Sequence, residues 1–249
     1  MKKRRRIAAK KKKTKTGAAT VLVIAAAGAI AFAAGVHSRN SNETQSSDPT
    51  APPTSSSLKP GAVSDADFQR ASARFSRILE THPRAEIRAM ERTIVEHGGM
   101  IEFINMPDKP YLLGSFKAAP FRGRIAPFMQ VNTGLLLDSS KSDRTWQLVI
   151  YHEYQHMSEF INGDSPEDFT GNSGDRMSEE HARRLFAGEY RAYLAQCRLA
   201  TSLRWEEDFP FCYGFARGGE NQLRRDVGEL LSMNPEFQEH RDLFLRLGQ

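Results

Sequence analysis

Cysteine is scarce, two in 249 residues, which excludes a disulfide-dense scaffold and a zinc ribbon built on cysteines alone. Negative charge is missing from the start of the chain: no acid precedes Glu43, and residues 18–36 carry no charge of either sign. No internal repeat is visible. The formal net charge of +5 misleads, because ten basic residues stand before Gly17 (Lys2, Lys3, Arg4, Arg5, Arg6, Lys10, Lys11, Lys12, Lys13 and Lys15). Beyond that head, 25 of the 35 Lys and Arg remain against 30 Asp and Glu, a balance of about −5. An acidic body argues against a domain with a broad basic face, so no nucleic-acid partner is expected.

After the basic head (1–17) comes a run of nineteen uncharged residues, Ala18 to Val36. Its length suits a membrane span of ~20 apolar residues better than a signal core of ~7–15. Its composition pulls the other way, with nine alanines and the small-x-small pattern Ala31-Phe32-Ala33. Either an uncleaved anchor or a cleaved signal is expected, and both export the remainder of the chain, because ten positive charges hold the head in the cytoplasm. The expected location is therefore membrane-anchored with an extracytoplasmic domain, or secreted or periplasmic if the segment is removed. Residues 37–63 are polar and punctuated by proline, a linker with nothing to bury.

Residues 64–249 carry periodic patterns. Ser64 is a candidate N-cap for a helix with Phe68, Ala71, Phe75, Ile78 and Leu79 on one face. A second helix is expected from Pro83, carrying Ile87, Met90 and Ile94 and stopping at Gly98-Gly99. Met100 to Asn105, Tyr111 to Phe116 and Phe128 to Leu137 read as strands. Ser142 or Asp143 opens a long helix to Ile161, closed by Asn162-Gly163. An acidic loop comes next (Asp164, Glu167, Asp168, Asp175), without the regular spacing of a calcium loop. Another long helix runs from Ser178 or Glu180 to about Leu203, and two shorter helices end the chain. Helices, a small sheet and more helices imply an α+β fold.

Within the helix after Ser142 lies His152-Glu153-Tyr154-Gln155-His156, the pattern HExxH. Histidines four apart on a helix share a face and can both reach one zinc ion, and the glutamate beside the first can take a proton from metal-bound water. On these residues the chain resembles the zincin metallopeptidases, over roughly residues 128–200. That resemblance implies a small antiparallel or mixed sheet packed on the HExxH helix, a Zn2+ cofactor and a protein or peptide substrate. Glu159 and Asn162 occupy the positions where the metzincin subgroup has glycine and a third histidine, so that subgroup is excluded.

A third ligand must come from elsewhere, and Glu189 is the candidate. On the helical period it shares a stripe with Ala182, Leu185, Phe186, Ala192, Tyr193, Gln196 and Ala200. A carboxylate in so apolar a stripe needs a compensating charge: a metal ion, or an arginine such as Arg191 or Arg225. A downstream glutamate on a second helix resembles the gluzincins, although Gly188 replaces the asparagine that often precedes that glutamate. His181, on the same helix but among charged neighbours, is the rival ligand.

The resemblance implies an exported peptidase with His152, His156 and Glu189 on zinc and Glu153 as general base. Tyr193, Tyr213 and His240 have the chemistry of an oxyanion donor, and Tyr213 is the expectation carried forward. The segment Phe128 to Leu137 is the expected cleft-bordering strand. Cys197 and Cys212 are expected to form a disulfide bracing the Glu189 helix, with two buried thiols as the alternative. A second class remains open, an inactive zincin-like binding or scaffold domain at the cell envelope.

Overall fold

The computed structural model describes residues 63–106, 111–163 and 177–249. The basic head, the uncharged segment, the linker up to residue 62 and the acidic loop lie outside the described residues. Among the described residues no helix is long and apolar enough to cross a membrane. The architecture is α+β, a mixed three-stranded sheet with helices making up most of the rest.

Helix α1 (Asp65–Glu80) starts where Ser64 Oγ accepts the Asp67 N–H, and it buries Ala71, Phe75, Ile78 and Leu79. Phe68, expected on that face, is 43 % exposed, although its ring meets Phe103 edge-on. The single helix expected after Pro83 is two short ones, α2 (Ala85–Arg88) and α3 (Met90–Glu96), separated at Ala89. Their buried residues are those of the expected stripe, Ile87, Met90 and Ile94, because each turn packs its own apolar residue inward.

Three strands come next: β1 (Met100–Ile104), β2 (Gly114–Phe121) and β3 (Arg124–Asn132), in the order β1-β3-β2. β1 runs parallel to β3 and β2 antiparallel to it. The β2–β3 hairpin turns on Arg122 and Gly123, both at positive φ (48° and 84°), the twist that two-residue hairpin loops prefer. Two sequence expectations are corrected here. Strand character ends at Asn132, and residues Thr133–Leu137 form helix α4. β3 is also the central strand, its hydrogen-bonding groups committed on both sides, so the segment from Phe128 has no free edge to offer a peptide. Among the described residues β1 and β2 are the edge strands, and β2 is the one beside α5.

Helix α5 (Asp143–Asn162) begins at Ser142, whose Oγ accepts the Thr145 N–H, and ends at Gly163 in the left-handed conformation (φ 79°). It lies between β2 and helix α6 (Glu179–Leu203), itself capped by Ser178. After α6, where short helices are expected, comes α7 (Pro210–Met233), 24 residues long and bent at Gly219 (φ 65°), and then α8 (Arg241–Leu247). The disulfide Cys197–Cys212 joins α6 to α7, as expected, and both cysteines are fully buried. Trp146, Phe116, Met129, Leu148 and Tyr193 are among the largest fully buried side chains.

Candidate metal centre

α5 presents His152 and His156 one turn apart, and α6 brings Glu189 to meet them across the helix pair. The two Nε2 atoms are 3.1 Å apart. Glu189 Oε2 is 3.4 Å from His152 Nε2, and its Oε1 is 3.4 Å from His156 Nε2. All three residues are at most 2 % exposed. Burial depresses both imidazoles, His152 to about 3 and His156 to about 4, so both are neutral near pH 7. Burial raises Glu189 to about 7, with His156 opposing the rise.

Neutral rings are poor company for a carboxylate. Neither oxygen of Glu189 accepts a hydrogen bond among the described residues. The two arginines considered as its partners are engaged elsewhere: Arg191 Nε binds Glu159 Oε1 at 2.8 Å, and Arg225 binds Gln222. A buried acceptor pair without donors, facing two imidazole nitrogens within 4.8 Å, matches what a cation requires. The triad can hold a metal ion. His181 is not part of the cluster; its backbone N–H serves the Ser178 cap.

Comparison with known proteins found no matching family model, no matching curated protein and no matching solved structure. The chemistry of the site therefore stands on its own geometry.

Glu153 is fully buried beside the triad, and its Oε2 accepts the backbone N–H of Phe116 at 2.7 Å. Oε1 has no hydrogen-bond partner among the described residues. Burial first, and then the nearby Glu189, push this carboxyl well above the usual range, while the Phe116 N–H works against them. The donor is available for a geometric reason. Leu113 accepts from Asn132, which makes that pair and every second one along the hairpin hydrogen-bonded. Phe116, opposite Met129, falls between them, so its N–H points off the free edge of β2 towards α5.

Tyr193 lies one turn after Glu189, with its ring centroid 4.3 Å from that of His152 and stacked on Phe211 at 4.7 Å. Burial, then Glu189 and Glu153, hold its phenol protonated far beyond neutral pH. Tyr213 has a different setting: it is 40 % exposed, with the Arg217 guanidinium 4.1 Å from its ring centre. His240 Nε2 donates to Met177 O, 2.6 Å away, near the start of α6. The Phe116 N–H escaped sequence reading because a backbone donor has no residue signature. Gln196 was visible only as the one amide in the apolar stripe of α6.

Proposed function

We propose that the chain is an exported, zincin-like zinc peptidase that hydrolyses peptide or amide bonds. The observation that carries this reading is Glu153, held at one oxygen by Phe116 and, among the described residues, without a partner at the other, directly beside a two-histidine, one-carboxylate cluster. Zinc is the metal we propose, because it binds sets of imidazole nitrogens and a carboxylate, and here one such atom from each residue lies within 4.8 Å of the others. A set of two nitrogens and one carboxylate also suits a catalytic zinc better than a purely structural one.

His152 and His156 would hold the ion through Nε2, and Glu189 through a carboxylate oxygen. When bound, zinc supplies Lewis acidity and brings a water's pKa towards ~7. Glu153, brought back towards its ionised form by a cation beside it, would take at Oε1 the proton of the water that attacks the carbonyl carbon and pass it to the leaving amine as the C–N bond breaks, while Phe116 keeps the carboxylate from turning away. The edge strand β2, with Gly114 and Ala118 oriented like Phe116, would align an extended peptide by its main chain once its buried edge is opened. For the oxyanion donor, Tyr193 is better supported than Tyr213 by its contact with His152. The buried disulfide supports export, since such bonds persist in oxidising compartments.

One observation favours the second reading, a scaffold domain that keeps the site closed: His152, Glu153, His156 and Glu189 are all 2 % exposed or less. Elemental analysis of the whole chain beside His156→Ala and Glu189→Ala, with a peptide-library hydrolysis assay, separates the two. One zinc per chain, lost in the first variant and weakened in the second, together with hydrolysis, supports the peptidase. Zinc without hydrolysis supports the scaffold, and folded protein that takes no zinc removes both metal readings.

A further inference from the structure

Gln196 stands two turns beyond Glu189 on the same face of α6, completely buried. Neither its amide oxygen nor its amide nitrogen meets a full hydrogen-bond partner among the described residues. The same is true of Nδ1 of His152, as it is of both Glu189 oxygens and Glu153 Oε1. Gln196 and His152 are neighbours across packed helices: Tyr193, one turn before Gln196 on α6, meets the His152 ring at 4.3 Å, and Gln196 favours the protonated form of that ring. An amide that favours an N–H does so through its oxygen, Oε1.

His152 also faces a choice of tautomer. A neutral imidazole carries one N–H, on Nδ1 or Nε2. Nε2 lies 3.1 Å from Nε2 of His156, close enough for one ring to donate to the other, and a ring that donates from Nε2 has no lone pair there for a metal. An acceptor on the Nδ1 side shifts the balance, because it gives the proton a place away from the cluster. The site already buries two carboxylates, Glu153 and Glu189, so a neutral acceptor does this without adding a third negative charge.

We infer that Gln196 is a positioning residue of the metal centre: its amide oxygen takes the Nδ1–H of His152, fixing the tautomer that leaves Nε2 free to bind a metal ion. The inference rests on the metal-site reading above. It concerns a residue that touches no substrate, and it explains why an amide sits in an otherwise apolar stripe.

The test compares wild type, Gln196→Leu and Gln196→Glu, all as the whole chain. Zinc affinity is read by chelator competition, metal-free thermal stability by calorimetry, and the histidine tautomer by two-bond 1H–15N correlation of the imidazoles. Gln196→Leu should bind zinc about 10–100-fold more weakly, yet unfold at the same temperature as wild type or higher, because two buried polar atoms leave an apolar face. The Nδ1-protonated signature of His152 should be present in wild type and diminished in the leucine variant. Gln196→Glu, whose fully buried carboxyl is held protonated by desolvation and still accepts through its carbonyl oxygen, should keep the signature and bind zinc more tightly than the leucine variant. Wild-type affinity in the leucine variant overturns the inference and leaves the metal site standing. Parallel loss of stability and affinity without rescue by glutamate also overturns it, as packing alone would behave so. A wild type that binds no zinc shows instead that the metal-site reading failed, and the inference falls with it.

Discussion

The two oxygens of Glu153 have different surroundings, one bonded to Phe116 N–H and one buried without a donor. Glu153→Gln can keep the first bond through its amide oxygen but cannot take a proton at the second position. It should retain metal content and lose about 10²–10⁴ in kcat, measured by steady-state hydrolysis beside elemental analysis. Full activity would remove Glu153 as the base. Glu189 sets a second expectation. Its carboxyl titrates at about 7 in the metal-free protein, and ligation needs the ionised form, so binding below that pH must expel its proton. His152 and His156, at about 3 and about 4, are already neutral there and expel none. Apparent zinc affinity should therefore fall as pH drops below 7, approaching about tenfold per pH unit well below it. Competition titrations across pH 5–8 check this; affinity that does not change below pH 7 would contradict the raised Glu189.

Among the elements, α5 is the one on which the site depends, and its N-terminal end is tied down by a residue that periodicity ignores. Arg74 on α1 donates to Asp143 Oδ1 through Nε and Nη2 (3.1 and 3.0 Å), to Leu136 O and Asp138 O through Nη1, and to Lys141 O through Nη2. Its side chain is 17 % exposed, so much of this network is shielded from water. Arg74→Ala leaves several carbonyls short of donors and should cost about 2–3 kcal/mol in denaturant unfolding. Arg74→Lys should restore little, because an ammonium cannot span the same fork. Loss below about 0.5 kcal/mol would mean that solvent replaces the network. The elements most legible in sequence were α1, α5 and α6, each with a serine cap and an apolar stripe repeating every turn. The break at Ala89, the length of α7 and the start of β2 at Gly114 were less so. Glycines stand at 214, 218 and 219, yet only Gly219 leaves helical conformation, and packing carries the helix past it.

On the scale of the molecule, Cys197 and Cys212 close a loop with a separation of 15 in sequence and clamp α6 against α7. A loop of that size restrains the unfolded chain by ~3 kcal/mol. Reduction, or the paired Cys197→Ala and Cys212→Ala change, should lower the melting temperature by roughly 6–12 °C at ~2–4 °C per kcal/mol. An unchanged melting temperature under reductant, with free thiols confirmed by labelling, would show that packing alone holds the two helices.

Local features were legible in the chain alone. The HExxH pair needs only the helical turn to align His152 with His156, and the apolar stripe of α6 marks Glu189 as a carboxylate in need of a cation. Its caps and stops bounded α5 and α6 to within a residue or so. Features that depend on distant segments meeting were settled by the folded chain. Folding selected Glu189 over His181, paired Arg191 with Glu159, set Tyr193 against His152 and made β2 the edge strand beside α5. It also directed the Phe116 N–H to Glu153 through the hydrogen-bond parity of a hairpin. Helical periodicity is written into neighbouring residues, whereas strand order and register are set by loop closure and by which faces must be buried together. No single segment encodes those.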